Sequence, residues 1–207
     1  MKAVLRLIAI PICFLSPSYA QVVQLSSGAT STVQELVISA KQYCDENIPS
    51  LTSDQKEQRR QSMGRINSIL DLHEMARLIL ARHWNGLKPA ERERYAFLLS
   101  TLVEKIGYPQ ISKFFNGDIE IEYVAEKNIE GSKNISVITK IVGKNDDPAI
   151  MSEFRLHPAG NGWRIYDVIT DGESLLLIYR NQHATIIKEK GFPHLIKLME
   201  KKLNETK

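Results

Sequence analysis

The stretch WRIYDVITDGESLLLIYRNQ, Trp163 to Gln182, changes its period in the middle. Trp163 to Ile169 predicts a strand, with β-branched and aromatic residues in series. Asp171 and Gly172 turn the chain. From Ser174 to Lys190 the apolar residues follow the period of one amphipathic helix, and Gly191 suits the position just past its end. Pro193 opens a last helix carrying Leu195, Ile196, Leu198 and Met199. A strand that turns directly into a helix lays helices beside a sheet.

Upstream, three more strands are expected. Ile119, Ile121 and Tyr123 alternate with Glu120 and Glu122, giving one wet face. Ile135 to Val142 is apolar on both faces and should be central, and Met151 to Leu156 is the third strand. Turn residues at Gly131–Asn134, Gly143–Pro148 and Gly160–Gly162 separate them, so the four strands read as an antiparallel meander. From Thr30 to Phe115 the chain reads as helical, with a period of 3–4 in Val33, Leu36, Val37, Ala40 and Tyr43. Thr52 with Gln55 and Asp71 with Glu74 have capping-box spacing. The second pair opens a helix running to Trp84. Pro89 opens another, which Gly107 and Pro109 break or kink. No repeat or linker interrupts the pattern. The expectation is an α+β fold, with helices packed on one face of a four-stranded antiparallel sheet and enclosing an apolar pocket.

The first twenty residues stand apart. Lys2 and Arg6 precede a short apolar run from Leu7 to Leu15, and Ser18 and Ala20 are the small residues of a cleavage site. The run is far below the roughly 20 residues of a spanning helix. Residues 1–20 are therefore expected to be a signal peptide, and 21–207 a single exported domain. Cleavage leaves 187 of 207 residues and takes the formal net charge from +3 to +1 with the loss of Lys2 and Arg6. It also removes Cys13, leaving Cys44 alone, without a partner for an internal disulfide. An apolar content of 43% excludes a mainly disordered chain, and so small a charge gives no case for nucleic acid. Charge is uneven along the chain. Lys56 to Arg94 holds nine basic residues against five acids, and Gly117 to Glu130 holds five acids and one lysine.

Chemistry is scarce. The sequence has no phosphate-binding glycine loop, no Gly-x-Gly-x-x-Gly turn and no Gly-x-Ser-x-Gly elbow. The five histidines (73, 83, 157, 183, 194) lack metal-ligand spacing and read as surface or capping groups. Asp146 and Asp147 read as turn residues. For an enzyme, Asp167 with Tyr166 or His183 would be the candidate pair. Apolar material is abundant instead, and it fills a core or, in part, surrounds an apolar ligand.

The stretch quoted above, with Gly191 and Leu195-Ile196, resembles the MlaC family of periplasmic phospholipid carriers, also called toluene-tolerance auxiliary proteins of ABC transporters. Ile69-Leu70-Asp71, Met75-Ala76, Leu80, Trp84, Tyr95 and Phe97 look like that family's first block in the same order. The resemblance spans about Val33 to Lys202. Two positions depart from it. Glu173 stands where the family usually has an apolar residue, and Ala81 where it often has glycine. They leave the ligand open between a phospholipid and another lipid such as a hopanoid precursor.

The resemblance implies a monomeric carrier, not an enzyme, with no cofactor or metal and with phospholipid as cargo. It implies passage between an outer-membrane lipoprotein complex and an inner-membrane ABC transporter with its substrate-binding ring, in support of outer-membrane lipid asymmetry. The lipid enters tails first between sheet and helices. Alternation and helical period then assign the walls. Ile119, Ile121, Tyr123, Val137, Ile141, Phe154, Tyr166 and Val168 form the sheet wall. Leu99, Leu102, Val103, Leu176 and Tyr179 form the helix wall. Gly107–Pro109 and Asp171-Gly172 are the candidate hinges, and an Arg or Lys at the mouth could meet the phosphate.

Overall fold

Alternating burial along the strands sets the architecture. The computed structural model describes residues 28–43, 51–143 and 148–206. The expected leader, both cysteines and the Asp146–Asp147 turn lie outside them. The strands are β1 (Ile119–Asn128), β2 (Ile135–Gly143), β3 (Ile150–Ala159), β4 (Gly162–Thr170) and a two-residue β5 (Glu173–Ser174). They form one antiparallel sheet in sequence order, the expected meander with β5 added beside β4. Ile121 opposes Ile141, Val137 opposes Phe154, and Phe154 opposes Val168, so these side chains share one face, the inner one.

Two bulges re-aim side chains. Val124 is the extra residue of β1, and Tyr166 that of β4. The first slip puts Glu126 opposite Val137, on the inner face. There its Oε1 accepts from the Thr30 backbone N–H at 2.8 Å and from Thr30 Oγ1 at 2.6 Å. Thr30 lies in the first turn of α1 (Ala29–Gln42), whose N-cap Gly28 has no side chain to cap it. A carboxylate from β1 thus meets the positive end of α1.

The remaining helices are α2 (Ser53–Ile69), α3 (Leu72–Leu80), α4 (Pro89–Leu102), α5 (Tyr108–Phe115), α6 (Leu175–Lys190) and α7 (Phe192–Glu205). The Thr52–Gln55 capping box opens α2. Asp71 caps α3 by accepting from the Glu74 N–H at 3.0 Å, while the Glu74 carboxylate turns to Arg77. The helix expected to reach Trp84 ends at Leu80. Ala81 adopts φ +46°, and the chain tightens into a 3₁₀ turn, Ala81–Gly86. The break expected at Gly107–Pro109 is instead a π-turn, Val103–Gly107, that joins α4 to α5. Proline removes one helix donor and crowds the carbonyl four residues back. Here the turn ahead of Pro109 widens, the Tyr108 N–H bonds to Val103 O, and the helix continues.

Apolar residues gather in three clusters. The first lies between the inner sheet face and α1, α2 and Tyr108. In the second, α3, α4, α6 and α7 pack on one another, around Tyr95, Leu98 and Leu195. The third joins Val37 and Ala40 of α1 to Phe115 of α5 and Ile141. The fold is α+β as expected. Its helices divide between those over the inner face and a group standing beside β4, tied there by a bridge between Leu70 and Ile165.

Candidate functional site

Strand register places Ile119, Ile121, Tyr123, Val137, Ile141, Phe154 and Val168 on the inner face. Their burial is uneven. Val137, Ile141 and Phe154 are buried, whereas Ile119, Ile121, Tyr123 and Val168 are half-buried. Burial raises the Tyr123 hydroxyl pKa. Tyr166, the bulge residue, touches both the first and second clusters, and its hydroxyl accepts from Asn134 Nδ2 at 3.3 Å.

The helix-wall residues separate. Val103 packs against the first cluster. Leu99 and Leu176 are buried in the second, with Leu102 at its margin. Tyr179 is 40% exposed on α6. So the structure places Val103 against the cluster that includes the inner sheet face, and Leu99, Leu102 and Leu176 among the helices beside β4.

The π-turn carries α4 from the second cluster toward the inner face. Residues 100–107 are half-buried throughout, including Leu102, Val103 and Ile106. A polar brace holds it to α2. Asn67 Nδ2 donates to Glu104 Oε1 at 2.8 Å, and the Tyr108 hydroxyl donates to Asn67 Oδ1. Burial, and then the nearby Glu104 charge, push the Tyr108 hydroxyl pKa up. Arg164 Nη2 donates to Asn67 O and Leu70 O at 3.1 and 2.6 Å. Its Nη1 lies 3.3 Å from Asp71 Oδ2.

At the β4–β5–α6 corner Asp167 is only 2% exposed. Its Oδ2 accepts from Ser174 Oγ at 2.7 Å and its Oδ1 from the Leu176 N–H at 3.1 Å. Ser174 Oγ accepts in turn from the Leu177 N–H at 3.1 Å. These bonds fix where α6 begins. Beside them lies an open groove of about 540 Å³, lined by Val168, Thr170, Asp171, Glu173, Leu175 and Ile178. That volume lies within the range of small-molecule sites. Leu175, Leu177 and Ile178 leave apolar surface exposed around it.

The polar groups suggested for catalysis have separate partners. Both Asp167 oxygens serve the start of α6. His183 is buried, its Nδ1 2.8 Å from the Tyr95 hydroxyl, and burial lowers its pKa from 6.5 to about 4. Two histidines therefore depart from the expected surface role. His183 is enclosed beside the buried Tyr95 ring of α4, and His157 Nε2 lies 3.0 Å from Asp71 Oδ2. Sequence reasoning missed both contacts, since 86 and 88 residues separate the partners. Among the described residues, no group of His, Cys, Asp and Glu is placed to hold a metal, and no helix is long and apolar enough to cross a membrane.

A sequence profile of the MlaC protein family matches residues 34–201. The chain belongs to the MlaC family. A solved phospholipid-binding protein from Ralstonia solanacearum, in complex with a phospholipid, has the same fold. It superposes with a TM-score of 0.63 at 16% identity, covering 86% of this chain and 95% of that one. The MlaC match runs from within α1 to within α7, so it takes in the inner sheet face, the π-turn and the α6 corner together.

Proposed function

We propose that this MlaC-family chain is a periplasmic carrier. It binds a phospholipid by its acyl chains and shuttles it between an outer-membrane lipoprotein complex and an inner-membrane ABC transporter with its substrate-binding ring. Outer-membrane lipid asymmetry is what the traffic maintains. The observation that carries the proposal is a set of apolar side chains left half-buried where a closed core would cover them. They are Ile119, Ile121, Tyr123 and Val168 on the inner face and Val103 on the π-turn. The family match and the phospholipid in the Ralstonia protein's structure support the same function. The half-buried residues supply the wall, and the buried Val137, Ile141 and Phe154 supply its backing.

A carrier answers a physical need. Each buried methylene is worth about 0.8 kcal/mol, so two acyl chains with roughly 30 methylenes cost on the order of 24 kcal/mol to expose to water. A barrier of that size stops spontaneous transfer on a useful timescale, and an apolar shelter removes most of it. Such binding needs no bond making and no cofactor, in line with a monomeric carrier rather than an enzyme. The leader expected at residues 1–20 would export it. For release the wall must loosen. The π-turn, braced to α2 through Asn67, is the element to move.

Native mass spectrometry of protein purified without added lipid tests this. Bound phospholipid is expected, and extraction followed by lipid analysis identifies it. Bare protein that also fails to take lipid from vesicles would sink the carrier function.

A further inference from the structure

The π-turn hangs between two fixed helices. Before it, Leu98 and Leu99 bury α4 in the second cluster. After it, α5 is tied to α1, where Ser112 Oγ donates to Tyr43 O at 3.0 Å and Asn116 Nδ2 donates to Lys41 O at 3.1 Å. Between them Val103 packs against the cluster that includes the inner sheet face. The turn closes on the bond from the Tyr108 N–H to Val103 O, one residue wider than an α-helical turn. Motion of this segment therefore need not disturb the helices on either side.

One side chain spans both ends of the turn. Asn67 Nδ2 donates to Glu104 Oε1 at 2.8 Å, and Asn67 Oδ1 accepts from the Tyr108 hydroxyl. The partners fix which way round the amide sits, because a carboxylate accepts and the NH₂ must donate. The Asn67 backbone is anchored to the sheet. The Asp71 N–H, four residues on, goes to Ile165 O instead of Asn67 O. Arg164 Nη2 of β4 fills that place at 3.1 Å and also donates to Leu70 O at 2.6 Å. Asn67 thus holds the sheet with its backbone and the π-turn with its side chain.

We infer that Asn67 is the latch of the lipid site: its amide holds the π-turn on α2 while cargo is bound, and breaking its two bonds limits the rate of release. The inference rests on the carrier function proposed above and names what regulates it. Val103 adjoins Glu104, so a turn freed from Asn67 carries Val103 away from the wall. Asn67 is a positioning residue in this scheme, so its loss changes how fast lipid leaves and not how much is held. Two hydrogen bonds, one of them to a carboxylate, set the effect at about five- to thirtyfold in release rate.

The test is transfer of pyrene-labelled phosphatidylglycerol from the loaded, full exported chain to unlabelled phosphatidylethanolamine–phosphatidylglycerol vesicles, in enough excess that their concentration no longer sets the rate. Asn67→Asp keeps the acceptor for Tyr108 but turns a carboxylate toward Glu104, so transfer should run about five- to thirtyfold faster at equal loading. Adding Glu104→Gln restores the pair with donor and acceptor exchanged, and should return the rate to within about twofold of wild type. Glu104→Gln alone keeps an oxygen for Asn67 Nδ2 and should change the rate by about twofold or less. If Asn67→Asp does not fold, Tyr108→Phe keeps the buried ring, removes the donor, and should speed transfer about two- to fivefold. Unchanged transfer in folded Asn67→Asp, or in Tyr108→Phe, overturns the latch and leaves the carrier intact. A faster rate that Glu104→Gln does not restore overturns it too, since general loosening of α2 would give the same. Wild type that takes up no lipid removes the carrier function, and the latch with it.

Discussion

The helices beside β4 and the helices over the sheet bury similar residues to different ends. In the first group Tyr95, Leu98 and Leu195 sit at the centre of α3, α4, α6 and α7, and the half-buried Leu78, Ile186 and Leu203 flank them. That is the gradient of an ordinary core. Over the sheet Val33, Val137 and Leu156 are buried just as deeply, and the difference is where the half-buried margin lies: Tyr123 and Val168 on the inner sheet face and Val103 on the π-turn. On the proposed function that margin makes the sheet side the open half of the molecule and the helices beside β4 the closed half, because a site that closes completely has no room for cargo.

Charge in the open half should be the most damaging change to function. Val103→Glu and Val168→Glu place a carboxylate among acyl chains, where an unpaired charge costs several kcal/mol. Lipid loading should fall by more than about tenfold. Both sites are half-buried, so circular dichroism should show an intact fold. Normal loading in either folded variant would remove that residue from the wall.

The reverse pattern is expected in the closed half. Leu98 is 1% exposed. Leu98→Ala leaves a cavity and should cost about 2–5 kcal/mol in denaturant unfolding. Protein that remains folded should still carry lipid. Loss of loading in folded Leu98→Ala would show that the two halves are coupled rather than separate.

Acid should also act through the closed half. The His183 pKa falls from 6.5 to about 4 because burial disfavours the imidazolium. Above pH 6.5 the ring is neutral in both states and has no effect on stability. Below it the unfolded chain takes up a proton that the folded chain refuses, so stability drops as pH falls to about 4, and then levels. The loss is on the order of 3 kcal/mol. His183→Gln should flatten this part of the stability–pH curve. An unchanged slope in that variant would place the acid sensitivity elsewhere.

What the sequence disclosed divides along the same line. Strands were legible because alternation has a period of two, and that period placed Ile121, Val137, Phe154 and Val168 on one face correctly. The Thr52–Gln55 box was legible because capping is local. Leu99 and Leu176 were assigned to the helix wall opposite the sheet but are buried among the helices beside β4. Helical period shows which side of a helix is apolar, and is silent on what that side meets. The bulges at Val124 and Tyr166 left no mark either, because a bulge adds a residue without changing composition. Glu126 reads as one more acid of a wet strand, and only the register slip turns it inward to α1. The β4–β5–α6 groove needed three elements in place, although the Asp171-Gly172 turn beside it was visible as a break in period.

Ala81 joins both sources of information. The sequence marked it as alanine where related chains often carry glycine, and the structure gives it φ +46° and ψ −117°. An L-residue at positive φ brings its Cβ against the backbone, at a cost of order 1–3 kcal/mol. The position cannot relax easily, because it ends α3 and starts the 3₁₀ turn that carries Trp84 into the second cluster. Glycine removes the clash but leaves the unfolded chain freer, which returns roughly 0.5–1 kcal/mol of the gain. Ala81→Gly should therefore stabilise the protein by about 1 kcal/mol net and raise Tm by about 2–4 °C. Lipid loading should not change, since the strain sits in the closed half. A lower Tm would mean that Ala81 is unstrained and that its side chain contributes packing. A higher Tm with altered loading would tie the end of α3 to the open half, through α4 and the π-turn that follows it.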